Sequence, residues 1–106
     1  NSVEIKVLQG NIYEAVKERK FNTILLNPPQ SAGKEICFAM ITQAKTHLED
    51  NGLLQIVARH NKGGAVLEKK MKEVFGNVKT TARESGFRVY VGKKDKQTKG
   101  LYTLSI

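Results

Sequence analysis

Asn27, Pro28 and Pro29 stand in a row after an apolar run, Thr23 to Leu26, and just ahead of a helix-like stretch. Neither proline can donate a backbone hydrogen bond, so a sheet ladder must stop there. Each proline also biases the residue before it away from helical geometry, which holds Asn27 and Pro28 extended. Their carbonyls and the Asn27 side chain then project past the carboxyl end of the strand, where open α/β sheets bind ligands. The corner presents hydrogen-bond acceptors in a rigid frame. Exocyclic amines of bases are poor nucleophiles because the nitrogen lone pair is delocalised into the ring. Two acceptors that grip both amine hydrogens favour a more pyramidal nitrogen and orient it for in-line attack, a positioning effect. On the tripeptide alone, a plain rigid connector between strand and helix accounts for the residues as well.

The elements that would position this corner are legible as periodicities. Val3 to Leu8 alternates Val3, Ile5 and Val7 against Glu4 and Lys6, a strand signal ended by Gly10-Asn11. Tyr13 to Lys20 is short, charged and weakly helical. Thr23 to Leu26 and Leu53 to Ala58 are apolar runs, the second broken only by Gln55, consistent with strands buried on both faces. From Lys34 to Glu49, Ile36, Met40, Ile41, Ala44 and Leu48 fall on one helical face, with Ser31 or Gly33 at its start and Asn51-Gly52 closing it. Leu67, Met71, Val74 and Phe75 mark a second such helix, stopped at Gly76-Asn77. Val78 to Ala82 and Phe87 to Val91 read as strands joined across Glu84-Ser85-Gly86, antiparallel because the connection is short. Lys93 to Gly100 reads as a basic loop, and Leu101 to Ile106 as a short edge strand or a frayed end. The order β-α-β-α-β-α-β-β predicts a layered α/β/α fold with a mostly parallel sheet and an antiparallel C-terminal strand pair.

The chain has 106 residues, enough for one small domain over 1–106 and not for two. Its formal net charge is +8, and seven basic residues against two acidic ones between Lys79 and Lys99 concentrate +5 of it there. Such a surface fits an anionic partner such as nucleic acid, although many basic proteins are simply solvated. The basic run Lys93, Lys94, Lys96 and Lys99 could contact RNA phosphates or form a solvated loop. The single cysteine, Cys37, excludes an internal disulfide and suits a reducing, cytoplasmic setting. No apolar stretch approaches the roughly 18 residues of a membrane span. The start, NSVEIKVLQG, lacks the basic-then-apolar pattern of a signal peptide.

His47, His60 and Cys37 have no metal-ligand spacing, so no metal site is expected. His47 reads as a helix-end residue and Cys37 as a small core residue. His60, in ARHNKGG, could line the ligand face, but a solvated loop residue is the ordinary reading. Gly63-Gly64 could bind a phosphate at a helix start or serve as a simple junction.

The stretch FNTILLNPPQSAGKE, the helix after it, NGLLQIVA and VFGNVKTTARESGFRVYV together resemble the C-terminal portion of class I S-adenosylmethionine-dependent methyltransferases. The likeness is strongest to the methyltransferase small domain family, which includes enzymes methylating guanine amines of small-subunit ribosomal RNA. It covers nearly the whole chain. The resemblance implies S-adenosylmethionine as cofactor, RNA as partner and a Rossmann-like fold. It assigns Asn27, Pro28 and Pro29 to the target amine. Gln30 falls where relatives carry an aromatic that stacks on the base, so it is assigned to substrate binding. Asn11 falls where an acidic residue usually bonds the cofactor's adenine, and Ile12 would flank the adenine face. The Gly-rich loop and the ribose-binding acid of the family have no counterpart here, as if the first two strands of the full fold were lacking. The chain as given is therefore expected to be incomplete for catalysis, with its first strand docking directly beside its second through a right-handed crossover. A non-catalytic basic module that binds RNA or a protein, derived from the same fold, is the alternative.

Overall fold

The computed structural model describes residues 6–7, 20–28 and 30–95. Five strands form one sheet: β1 (Lys6–Val7), β2 (Phe21–Leu26), β3 (Leu48–Arg59), β4 (Lys79–Glu84) and β5 (Phe87–Lys93). Helix α1 (Lys34–Thr46) joins β2 to β3, and α2 (Gly64–Phe75) joins β3 to β4. Spatial order is β1-β2-β3-β5-β4. The β1–β2 and β2–β3 pairs are parallel, whereas β3–β5 and β4–β5 are antiparallel. The first strand does dock directly on the second, with Lys6 opposite Leu25 and Val7 opposite Leu26. The sheet is thus parallel on one half and antiparallel on the other, because β5 returns through a tight hairpin and inserts beside β3.

Strand alternation sends Ile24, Leu26, Leu54, Ile56, Ala58 and Tyr90 to one face, where all are 0–1% exposed. Helix α1 covers this face with Cys37, Met40, Ile41 and Ala44, and α2 with Leu67, Met71 and Phe75. Each of the larger aliphatic, Met and Phe side chains among these, fully buried, contributes about 1.5–3 kcal/mol. The Lys45 ammonium ties the helices together by donating to the Val74 carbonyl at 2.9 Å.

Several sequence expectations need correction. Thr23, Leu25, Leu53 and Val57 are only half-buried, so β2 and β3 are sealed on one face rather than two. Among the described residues both helices pack on that one face. The helix expected over 13–20, which would supply the third layer, lies outside the described residues. Ile36 is 40% exposed, and Cys37 takes the core position beside it. Helix α1 ends at Thr46 instead of Glu49, because Phe21 N–H bonds the His47 carbonyl and draws Leu48 into the sheet. Asn51-Gly52 therefore does not cap the helix. It lies in an excursion inside β3, where the register jumps from Phe21–Leu48 to Thr23–Leu53 and Asn51 takes φ 66°. Lys93 belongs to β5, and the rest of the expected basic loop beyond Asp95 lies outside the described residues.

Candidate functional site

The parallel register Leu26–Ile56 brings the carboxyl ends of β2 and β3 side by side. Residues 27–33 leave β2 at this end, and residues 60–63 leave β3. The β4–β5 hairpin turn arrives at the same end, since Arg59 pairs with Phe87. Three connections therefore converge on one edge of the sheet, the edge where open α/β sheets bind ligands.

The corner itself starts with an exposed Asn27 on a buried Pro28. Burial anchors the proline ring, while the asparagine amide stays in solvent. Pro29, expected to fix the turn, lies outside the described residues, as do Asn11 and Ile12. After the corner, Gln30–Ala32 form a single 3-10 turn, and Gly33 opens α1.

Gln30 does something the sequence did not announce. Its Nε2 donates to the Lys62 carbonyl at 3.0 Å, and its Oε1 accepts from the Arg59 N–H at 3.4 Å. Both ends of one amide are thus spent on the backbone that leaves β3. Gly63 adopts φ 110°, a left-handed conformation that glycine takes without strain. A Cβ there would stand 3.3 Å from Gln30 Nε2, so the glycine also makes room for the latch. The amide thereby clamps the corner to the β3 exit, beside the base position to which the resemblance assigns Gln30. A small cavity of about 130 Å³ lies behind this clamp, lined by Lys34, Cys37, Lys62, Val66 and Leu67. Burial pushes the Cys37 thiol above its usual range, which keeps it protonated and unreactive.

His60 sits on the other side of the β3 exit, in a 3-10 turn over His60–Lys62. Its backbone N–H donates to the Gly86 carbonyl at 3.1 Å, which ties the hairpin turn down. Its Nδ1 meets the Tyr90 hydroxyl at 2.6 Å. Tyr90 is fully buried, and burial first, then the Glu68 carboxylate, raises its phenol above the usual value, against the opposing pull of Arg88 and Arg83. Gly64 begins α2 within touching distance of this pair, for a Cβ would fall 2.7 Å from the Arg59 carbonyl oxygen and 2.9 Å from the Tyr90 hydroxyl. Gly63-Gly64 is therefore a close-packed junction. The Arg59 guanidinium stacks 4.6 Å over the Phe87 ring at the same edge.

Of the assigned residues, the structure brings Asn27, Pro28 and Gln30 together at the convergence edge. Sequence reasoning missed a second group at the same end of the sheet, on the far side of β3: Arg59, Tyr90, Arg83, Arg88 and Phe87. A signal for the arginines was present, since ARESGFR places one on each side of a two-residue turn. Ser85 and Gly86 both have positive φ, the hairpin geometry that sets these arginines opposite each other.

A family model described as "Methyltransferase small domain" matches residues 1–91. The chain is 30% identical over 91 residues to the uncharacterized protein YbxB of Bacillus subtilis (strain 168), covering 85% of this chain and 45% of that protein. It is 33% identical over 91 residues to ribosomal RNA small subunit methyltransferase C of Haemophilus influenzae (strain 86-028NP), covering 78% of this chain and 27% of the relative. Among solved structures, the Thermus thermophilus 16S rRNA N2 G1207 methyltransferase RsmC, in complex with AdoMet and guanosine, superposes with a TM-score of 0.68 at 25% identity. That match covers 80% of this chain and 23% of the other. A methyltransferase from Pyrococcus furiosus shares the fold at a TM-score of 0.63 and 20% identity, over 74% of this chain and 43% of that one. The fold is a partial Rossmann-like methyltransferase domain, and the chain spans less than half the length of these relatives.

Proposed function

The chain belongs to the methyltransferase small domain family, and from that premise we propose that it forms the acceptor side of an S-adenosylmethionine-dependent methyltransferase acting on an exocyclic amine of a base in RNA. The observation that carries this reading is the corner at the end of β2: an exposed amide on a buried proline, clamped to the neighbouring strand exit by Gln30. Asn27 Oδ1 and the Pro28 carbonyl accept the two amine hydrogens. Pro29 fixes the turn. Gln30 holds the corner in register beside the base. The bound cofactor supplies an electrophilic methyl group on a sulfonium. The described residues fit the acceptor side of such a transfer, since Asn27 and Pro28 are neutral acceptors, suited to an uncharged amine whose lone pair must stay free. Asn11 and Ile12 are proposed for the adenine of the cofactor. Rate enhancement comes from positioning, because the methyl donor is already reactive.

A second reading, a non-catalytic RNA-binding module, is favoured by the arginines at the hairpin edge. Calorimetric titration of S-adenosylmethionine into the 106-residue chain separates the two. Saturable binding at micromolar levels, followed by methyl transfer to RNA, supports the methyltransferase. RNA binding with no cofactor response up to millimolar levels means that this chain does not hold the cofactor by itself, and the methyltransferase reading then applies to a longer parent or gives way to the module.

A further inference from the structure

Arg83 and Arg88 are direct cross-strand partners in the β4–β5 ladder. Like charges placed opposite each other in an antiparallel pair destabilise it. Neither arginine has an acid within ion-pair distance among the described residues, where the pair within 4 Å is Lys70–Glu73. Arg83 and Arg88 border a hollow of about 240 Å³ that Glu84 also lines and that His60 and Asn61 close from the β3 exit. Tyr90 holds His60 by Nδ1 at 2.6 Å, which fixes the ring and leaves its second nitrogen available. The backbone bond from His60 N–H to the Gly86 carbonyl locks the two walls of the hollow together. Two arginines engaged in no ion pair among the described residues against the single carboxylate of Glu84, with an oriented imidazole and an asparagine amide, surround one concavity and match a phosphodiester, whose oxygens accept from each donor.

We propose that this hollow seats a backbone phosphate of the RNA strand that carries the target base. The inference rests on the reading of the Asn27-Pro28 corner as the amine site. β2 and the β4–β5 pair flank β3, so the hollow lies on the order of 10–15 Å from the corner, by strand spacing. That distance suits the phosphate of a nearby nucleotide rather than of the target itself. Phosphate contacts of this kind set register and orientation and carry no base specificity. The bound anion also relieves the Arg83–Arg88 repulsion, so the protein's own ladder favours occupancy.

The test is the salt dependence of binding of a fluorescein-labelled single-stranded oligoribonucleotide to the 106-residue chain, read by anisotropy. The Arg83→Gln/Arg88→Gln double variant is compared with Lys69→Gln/Lys72→Gln, which removes the same charge from exposed positions on α2. The hairpin double variant should bind about tenfold more weakly at low salt. Its slope of log affinity against log salt should shrink by about 0.7, the contribution of one single-strand phosphate. The α2 variant should keep the wild-type slope, and Arg83→Lys/Arg88→Lys should retain most of it. Thermal melts of the hairpin variant should be no lower than wild type, since a repulsive pair has been removed. Equal losses for the hairpin and α2 variants, or an unchanged slope in the hairpin variant, overturn the proposal. Asn27→Ala should leave the slope intact. If the hairpin effect appears but Asn27 does not distinguish guanosine from inosine, the phosphate seat stands and the reading of the corner as the amine site fails.

Discussion

Replacing Gly64 by alanine looks benign and should not be. Gly64 is the first residue of α2. Alanine is favoured over glycine in helices by up to about 1 kcal/mol. The geometry opposes this gain. The new methyl would fall 2.7 Å from the Arg59 carbonyl oxygen and 2.9 Å from both the Arg59 carbonyl carbon and the Tyr90 hydroxyl, against 3.4 Å and more for ordinary contact. Two of these three atoms are backbone at the end of β3, so a rotamer change cannot relieve them. Overpacking of this kind costs about 1–3 kcal/mol. Displacing Tyr90 also loosens its bond to His60, worth a further ~1 kcal/mol. Net destabilisation should be about 1–3 kcal/mol, which lowers Tm by roughly 5–15 °C in a domain of this size. A double-mutant cycle sharpens the test. In a Tyr90→Phe background the clash with the hydroxyl disappears and the clash with Arg59 stays. The Gly64→Ala penalty should then fall by about 0.5–1 kcal/mol without vanishing. Thermal melts followed by circular dichroism read both quantities. A Gly64→Ala variant as stable as wild type, or more so, would refute the reasoning.

Other consequences are as concrete. Gln30→Ala should cost about 0.5–1.5 kcal/mol by urea denaturation, because the two bonds it removes are solvent-exposed and water replaces them. Gln30→Glu should be worse than alanine. It loses the Nε2 donor and sets a carboxylate against the Lys62 carbonyl, so a glutamate variant matching wild type would remove the latch from the account. Tyr90 makes stability fall at high pH. Its phenol is raised in the folded state, so the fold holds the proton more tightly than the unfolded chain does. The stabilisation is fully present below the unfolded tyrosine value of about 10 and is lost as pH rises through the folded value. Tyr90→Phe should flatten this alkaline decline in a pH series of denaturation curves; an equally steep decline would show that another group carries it.

Much of this was legible in the sequence because it is local. Period-two and period-3.6 patterns locate β2, α1, α2 and β5 to within a few residues, and the double proline marks the end of β2 unaided. The failures have a common physical origin. Asn51-Gly52 has the composition of a helix cap, yet pairing of Leu48 with Phe21 captured the preceding residues for the sheet. Local turn chemistry was present but tertiary pairing decided its use. Gln30 is a polar residue in a loop by every local measure. Its partners are 29 and 32 positions away, brought to it only by the parallel register of β2 against β3. His60 and Tyr90 are likewise 30 residues apart in sequence. The arginine pair depends on a two-residue turn with positive φ at Ser85, a conformation that ESGF allows but does not dictate. Asn11 and Ile12 entered through resemblance alone, and their roles are proposals, as are those of Asn27, Pro28, Pro29 and Gln30.

The grip of the corner on an amine can be measured without any methyl transfer. Guanosine and inosine differ by the exocyclic amine alone, as do adenosine and purine riboside. Each nucleoside would be titrated into the isotopically labelled chain while the Asn27 side-chain amide is followed by NMR. That resonance should shift saturably with the amine-bearing member of at least one pair and stay in place with its amine-free partner. Equal shifts from both members of each pair, or no shift from guanosine and adenosine at saturating concentration, would contradict the claim that Asn27 and Pro28 receive the target amine.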